Sequence, residues 1–152
     1  MNLLREKNMR GAFLILGVMA LLLGYKASHA QKEVKEGHRV VFEVNVDGQE
    51  TWTGILNNVE NLQKGLGAEH TQIEVVAHGK GLSLLLKTDT MLQERLQRIS
   101  QTGVVFAACE NTMRRKDVKK EDLLPLATTV PSGITEVVRK QETGWSYIKG
   151  GG

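Results

Sequence analysis

The chain has 152 residues and a net charge of +3, from 20 Lys and Arg side chains against 17 Asp and Glu side chains. The first 30 residues hold four of the basic side chains and one of the acidic ones, so the remaining residues carry equal numbers of both. The basic surface that nucleic-acid binding requires is therefore missing, and we exclude nucleic acid as a partner.

The N-terminal segment has the three parts of a signal peptide. A short basic stretch, residues 5–10, precedes residues 11–25, which carry no charge and are shorter than the roughly 20 residues of a membrane-spanning helix. Ser28 and Ala30 then supply the small side chains that a signal peptidase site requires. We therefore predict that residues 1–30 are a cleavable signal peptide. The mature protein is predicted to be periplasmic and free of the membrane, and an uncleaved anchor is the less favoured alternative.

The part of the chain after the signal peptide is expected to form a single domain. Residues 31–152 are enough for one hydrophobic core and too few for two. They contain one cysteine, Cys109, so no disulfide can form within the chain, although export leads to an oxidising compartment. The thiol is then buried, reactive, or paired with another chain.

The first elements of this domain are predicted to be a strand, a helix and a second strand. Residues 40–46 are β-branched and aromatic and stop at a turn signal, Asp-Gly, at 47–48. Apolar residues then recur at helical spacing over 52–62, and the glycines that follow can end this helix. Residues 73–77 are the second predicted strand.

The middle of the domain continues the alternation and leads to the cysteine. A short apolar helix is predicted at 82–86, and an amphipathic helical stripe runs from Met91 to Ile99. Residues 104–108 form a continuous apolar run, which is expected for a central parallel strand covered on both faces. This third strand leads directly into Cys109.

The last part of the domain completes the predicted sheet. Residues 118–126 read as a connection and residues 127–130 as a short strand. A helix is expected to begin near 131–132 with its apolar stripe over 134–138, and residues 145–148 close the sheet. Five strands joined by helices require crossover connections. The predicted fold is therefore a three-layer α/β/α sandwich with a mainly parallel five-stranded sheet.

Cys109 is predicted to lie beyond the carboxyl end of a strand, where reactive groups and ligands collect in α/β sheets. A helix beginning at Glu110 would lower the pKa of the thiol through its free amide groups and its dipole. Arg114 and Arg115 would add positive potential, which Glu110 opposes. The alternative is a small buried hydrophobic side chain that ends a core strand, and position alone leaves both interpretations open.

His78 follows the second predicted strand, so its imidazole is expected at the same sheet edge as Cys109. There it could act as a base for the thiol or orient it, whereas a histidine that hydrogen-bonds the backbone is the commoner case. His38, His70, His78 and Cys109 show none of the close paired spacings of zinc sites, so no metal is predicted.

The residues around Cys109 resemble those of a known family. The run Cys109-Glu110-Asn111-Thr112-Met113 is similar to the exported branch of the DsrE/DsrF-like sulfur-relay family. The resemblance covers about residues 39–149 and includes these further segments: Trp52 with Asn58 and Asn61, His78-Gly79, Pro131-Ser132-Gly133, and residues 141–148.

This resemblance implies a three-layer fold with a five-stranded parallel sheet, and a homo-oligomer that is a trimer or a hexamer. It also implies that Cys109 holds sulfane sulfur as a persulfide and passes it from a donor protein to an acceptor protein, with His78 beside it and without a cofactor. Because the chain is predicted to be exported, the cytoplasmic donors and the tRNA-modifying acceptors of the relay cannot be its partners.

Three functions are consistent with these residues. The first is a periplasmic sulfur carrier or small sulfurtransferase-like protein with Cys109 as the acceptor nucleophile. The second is a non-catalytic oligomeric or ligand-binding module in which Cys109 is structural. The third, and weakest, is metal-associated or haem-associated redox binding.

Overall fold

The computed structural model describes residues 37–151, and the predicted signal peptide lies outside them. Five strands in this part are β1 His38–Val44, β2 Thr71–Ala77, β3 Val105–Cys109, β4 Ala127–Val130 and β5 Ser146–Gly150. The α-helices of the same part are α1 Gln49–Leu66, α2 Gln93–Gln101, α3 Glu110–Arg115 and α4 Gly133–Glu142. Short three-ten helices occur at Ala68–His70, Gly79–Leu85 and Lys120–Asp122. Between residues 37 and 151, no helix is long and apolar enough to cross a membrane.

The strands form one parallel sheet in the order β4-β3-β2-β1-β5. The three-layer fold with a mainly parallel five-stranded sheet is therefore confirmed, and every neighbouring pair of strands is parallel. The register pairs Val44 with Ala77, Ala77 with Ala108, and Cys109 with Val130. The chain segments that leave β1, β2, β3 and β4 thus emerge side by side at one edge of the sheet.

The two faces of the sheet are covered unequally. The first face carries α1, α2 and the Gly79–Leu85 three-ten helix, and its core includes Phe42, Val75 and Phe106. The second face has a smaller apolar cluster, in which Val137 of α4 packs against Val41, Val76 and Ala107. Alternation along a strand sends successive side chains to opposite faces, so Glu43 and Cys109 project on the second face, the side of α4.

Boundaries of the elements differ from the predicted ones at several places. β1 ends at Val44 instead of continuing to Val46, because Val46 already belongs to the turn into α1, where its carbonyl accepts a hydrogen bond of 3.0 Å from Trp52 Nε1. The predicted apolar helix at 82–86 is a three-ten helix that begins at Gly79. It passes so close to β1 that a Cβ at Gly81 would lie 2.2 Å from the Val44 carbonyl oxygen.

One predicted helical stripe is wrong in part, and another lies on its predicted helix but is only partly buried. Met91 precedes the first turn of α2 and is 77% exposed. Ile134 and Val138 lie on α4 but are 56% and 46% exposed, and Val137 is the buried residue of that stripe. The reason is that α4 lies over the middle of the second face without another helix beside it in the described residues, so only one line of its surface meets the sheet.

Candidate functional site

An open cleft of about 510 Å³ lies at the carboxyl edge of the sheet. It is formed where β2, β3 and β4 end, on the side of the sheet that α4 covers. The residues that line it include Cys109, His78, Thr112, Ser132, Arg114 and Arg115. The two site residues expected from the sequence are therefore brought to one cleft.

Cys109 is the last residue of β3 and directly precedes α3. Its Sγ atom accepts a hydrogen bond of 3.1 Å from the backbone N–H of Gly133, the first residue of α4. The residue is only 4% exposed, yet it lines the cleft. The thiol is thus both buried, as the structural interpretation expected, and placed where the reactive interpretation needs it.

The pKa of the Cys109 thiol is lowered. Burial raises it, but hydrogen bonds from the Thr112 hydroxyl and from the amide groups of Gly133, Thr112 and Asn111 outweigh burial. The lowering comes from short-range hydrogen bonds to sulfur and not from the positive charge of the arginines on α3. A thiolate is the nucleophilic form of cysteine, so the site favours the reactive species.

The hydroxyl of Thr112 is one of the groups that lower the pKa of the Cys109 thiol, and it also receives hydrogen bonds from two other residues. Its Oγ1 atom accepts a hydrogen bond of 3.0 Å from the Gly79 amide and a longer one of 3.5 Å from Arg115 Nη2. With its oxygen lone pairs occupied in this way, the hydroxyl proton is left for Cys109. The amide of Gly79, which follows β2, therefore influences the thiol through its hydrogen bond to Thr112.

The imidazole of His78 is held by a buried carboxylate. Its Nε2 atom lies 2.8 Å from Oε1 of Glu43, and the hydroxyl of Tyr147 donates a hydrogen bond to Oε2 of the same carboxylate. Burial raises the pKa of Glu43, but the hydrogen bonds from Tyr147 and His78 and the charge of Lys149 lower it further than burial raises it. The same carboxylate raises the pKa of Tyr147 to about 12. Glu43 is therefore an anion on which two neighbouring residues are anchored.

His78 and Cys109 approach each other at Gly133. A Cβ atom at Gly133 would lie 3.0 Å from Cβ of His78 and 3.2 Å from Cβ of Cys109. No hydrogen bond within residues 37–151 joins the imidazole to the thiol, and the side-chain bond of His78 goes to Glu43 instead of the backbone. His78 thus shares the cleft with the thiol without being hydrogen-bonded to it.

The other histidines lie away from this cleft. His38 begins β1, and His70 immediately precedes β2, so both lie at the amino edge of the parallel sheet, opposite to Cys109. Within the described part of the chain, no group of three or more His, Cys, Asp or Glu side chains could hold a metal ion.

Three side chains of the site were missed by sequence reasoning as site residues: Glu43, Thr112 and Tyr147. A signal existed for Glu43, since it is the one charged residue in the apolar run from Val40 to Val44. Thr112 lies within the run around Cys109, but its contact with the Gly79 amide depends on the tertiary structure. Tyr147 has no local feature that distinguishes it from an ordinary strand residue.

The fold and the cleft define a small parallel α/β protein with a buried cysteine of lowered pKa at the carboxyl edge of its sheet. The sequence model of the DsrE/DsrF-like family matches residues 26–149. The chain belongs to that family.

Solved structures support this assignment. The chain is 35% identical to MTH1491 from Methanobacterium thermoautotrophicum, a protein of unknown function, with a TM-score of 0.70 over 74% of this chain and 98% of that one. The ychN protein from E. coli, at 11% identity, has a TM-score of 0.60 over the same shares of the two chains. BT1422 from Bacteroides thetaiotaomicron, a conserved protein of unknown function, is 18% identical, with a TM-score of 0.56 over 72% of this chain and 92% of that one. The last two show the fold alone, and no curated protein matches the chain.

Proposed function

We propose that this protein is an exported sulfur carrier that holds sulfane sulfur as a persulfide on Cys109. The observation that carries the proposal is the environment of the sulfur atom. Cys109 lines an open cleft, and hydrogen bonds from Thr112, Asn111 and Gly133 lower the pKa of its thiol. Membership of a family associated with sulfur relay supports the same chemistry.

The proposed transfer is an exchange at sulfur. The Cys109 thiolate forms a bond to the outer sulfur of a donor persulfide, the bond between the two donor sulfurs breaks, and its electron pair leaves with the donor thiolate. Attack by an acceptor thiolate on the outer sulfur of the Cys109 persulfide then returns Cys109 to its starting state. Neither step changes the total oxidation state of the sulfurs, so no redox cofactor takes part.

Mass spectrometry of the intact protein tests this proposal. After incubation of residues 31–152 with glutathione persulfide, the protein is expected to gain about 32 Da for one added sulfur atom. Cys109→Ser is the matched control and is expected to gain nothing. Absence of the added mass in the wild-type protein, or its persistence in Cys109→Ser, would refute sulfur carriage on this residue.

A specific observation favours a second candidate, a non-catalytic module in which Cys109 is structural. The residue is 4% exposed, which suits a small side chain that fills the end of a core strand. This candidate predicts a thiol that iodoacetamide does not alkylate in the folded protein. It also predicts that Cys109→Ala keeps the binding partners of the wild type.

The compartment and the assembly belong to the same proposal. We expect cleavage after Ala30 and a periplasmic mature protein, which sets it in the exported branch of the family. N-terminal sequencing of the protein from a periplasmic extract would identify the cleavage site. We also expect a trimer or a hexamer that exchanges sulfur with separate donor and acceptor proteins, and sedimentation velocity would measure the assembly.

A further inference from the structure

We propose that His78, fixed in place by Glu43, protonates the thiolate that leaves the sulfur donor when Cys109 takes up sulfur. The inference rests on the proposed function and adds the source of the proton. In this proposal His78 is the group that contacts the reacting atoms. Glu43 and Tyr147 are positioning residues that act through it.

The transfer needs a proton because of the group that it releases. When the sulfur–sulfur bond of a donor R–S–S–H breaks, its electron pair leaves on R–S⁻. An alkyl thiol has a pKa of about 8.5, so near neutral pH the released thiolate takes up a proton. A protonated imidazole supplies it. The products are the Cys109 persulfide, R–S–H and a neutral imidazole, and no oxidant or reductant is consumed.

The contacts of His78 determine which ring nitrogen can do this. The Nε2 atom is 2.8 Å from the Glu43 carboxylate and donates its hydrogen there. The Nδ1 atom is therefore the nitrogen that can gain and release a proton. The second oxygen of Glu43 accepts a hydrogen bond from Tyr147 on β5, which fixes the plane of the carboxylate and through it the ring.

The placement of His78 suits a proton donor better than a base for the thiol. Cys109 already accepts a hydrogen bond of 3.1 Å from the Gly133 amide, and the groups that lower the pKa of its thiol do not include a histidine. His78 lines the same cleft as Cys109, and the first atoms of its side chain lie beside Gly133, as does the Cβ of Cys109. A donor molecule that fills the cleft in front of Cys109 would therefore meet His78 as well.

Charged groups near His78 and Glu43 come from several neighbouring elements. Lys149 of β5 lies close enough to lower the pKa of Glu43, while Arg114 and Arg115 of α3 line the cleft together with Cys109. Glu43 of β1 is the carboxylate within hydrogen-bond distance of His78 in residues 37–151. Glu110, the acid nearest to Cys109 along the chain, lies 4.0 Å from Arg114 and accepts a hydrogen bond from Thr129, so its carboxylate is directed to partners other than the imidazole.

Two reagents that release different thiolates test the inference on the full mature protein. Glutathione persulfide releases an alkyl thiolate that needs a proton, whereas 5,5′-dithiobis(2-nitrobenzoate) releases an aromatic thiolate that is stable without one. Glu43→Gln and His78→Gln are expected to slow sulfur uptake from glutathione persulfide at least tenfold, since general acids contribute about 10² or more. The rate with the aromatic disulfide is expected to change by less than about twofold.

Glu142→Gln is the matched control, because it makes the same substitution at an exposed position at the far end of α4. It is expected to leave both rates unchanged. Equal slowing with both reagents would show that Glu43 only supports the structure around Cys109, and would overturn the inference. Unchanged rates in Glu43→Gln and His78→Gln would also overturn it, while uptake of sulfur by Cys109 would still stand. A wild-type protein that takes up no sulfur would refute the proposed function and this inference with it.

Discussion

The backbone N–H of Gly133 donates a hydrogen bond of 3.1 Å to Sγ of Cys109. This contact joins the first residue of α4 to the last residue of β3, two elements that are separated along the chain by α3 and β4. The contact leaves little room for a side chain at residue 133, because a Cβ there would lie 3.0 Å from Cβ of His78 and 3.2 Å from Cβ of Cys109. The geometry of the thiol therefore depends on how closely α4 approaches the sheet edge.

Gly133→Ala is expected to destabilise the protein and to slow alkylation of Cys109. The added methyl group pushes α4 away from both neighbours, and overpacking of this kind costs about 1–3 kcal/mol. Urea unfolding measures the stability, and the rate of reaction with iodoacetamide measures the thiol.

The control for this substitution is Gly54→Ala in α1. A Cβ at Gly54 meets no atom within 4 Å, so this change is expected to stabilise the helix by about 0.5–1 kcal/mol and to leave the thiol unchanged. If Gly133→Ala behaved in the same way as Gly54→Ala, the close approach of α4 would not matter to the site.

Thr112→Val is expected to raise the pKa of Cys109. The hydroxyl of Thr112 is the strongest of the hydrogen-bonding groups that lower it, and valine keeps the shape without the hydroxyl. The pH dependence of the iodoacetamide rate gives the thiol pKa directly. Thr112→Ser retains the hydroxyl and is expected to keep the wild-type midpoint. A midpoint in Thr112→Val equal to that of wild type would contradict the assigned role.

The lowered pKa of Cys109 also predicts how stability depends on pH. In the unfolded chain the thiol has its ordinary pKa of about 8.5, and in the folded protein its pKa is lower. The folded state therefore binds fewer protons between the two values, and stability rises with pH across that window. This contribution is complete above the unfolded pKa and is lost as pH falls through the folded pKa.

Comparison of wild type with Cys109→Ser isolates this effect, because serine does not titrate in the range. We expect the difference in unfolding free energy between the two proteins to grow in favour of wild type from about pH 6 to about pH 9, measured in urea with a reductant present. A difference that stays constant over this range would mean that the thiol pKa is the same in the folded and unfolded chains.

Much of the fold was predictable because buried parallel strands produce strong sequence signals. Runs such as 104–108 are apolar on both faces, and each predicted strand lies within two residues of the observed one at either end. The position of Cys109 followed from the same signal, since it comes directly after such a run. His78 follows β2 in the same way and was expected at the same edge.

The contacts that define the site could not be predicted in this way. Glu43 is 35 residues from His78 and 104 residues from Tyr147, and the three meet only because β1 pairs with β2 on one side and with β5 on the other. The order of strands in a parallel sheet leaves no periodic signal in the sequence. Ile134 and Val138 show a second limit, because helical spacing predicted the helix on which they lie but not that they are 56% and 46% exposed.

Arg115 is expected to give the cleft a preference for anionic reagents. Its guanidinium lines the cleft and makes a hydrogen bond to the Thr112 hydroxyl. Arg115→Gln should lower the ratio of the alkylation rates with iodoacetate and iodoacetamide about twofold to threefold, because the two reagents differ mainly in charge. Arg98→Gln, an equal loss of charge at an exposed position on α2, should leave this ratio unchanged. If the ratio of the two alkylation rates were the same in wild type and Arg115→Gln, Arg115 would not attract anionic reagents to Cys109.

Lys140→Met is expected to weaken the attachment of α4 to the second face of the sheet. The ammonium group of Lys140 forms an ion pair with the buried Glu74 of β2 and lies 4.1 Å from the centre of the Trp145 ring. Its loss leaves the Glu74 carboxylate buried without that partner. The expected cost is about 2–4 kcal/mol, because Lys140 is partly exposed and a fully buried pair costs about 3–5 kcal/mol when broken.

Urea unfolding measures this cost. Adding Glu74→Gln separates the loss of the ion pair from the loss of the packing of the Lys140 stem and its contact with the Trp145 ring. The double variant Lys140→Met with Glu74→Gln removes both charges and is expected to recover more than half of the stability lost in Lys140→Met alone. Lys64→Met, on the last turn of α1, removes an exposed charge and should change the stability by less than about 0.5 kcal/mol. If the double variant were no more stable than Lys140→Met, the stabilisation would come from the stem and the ring contact of Lys140. The ion pair would then not be what holds α4, and with it Gly133, against the sheet.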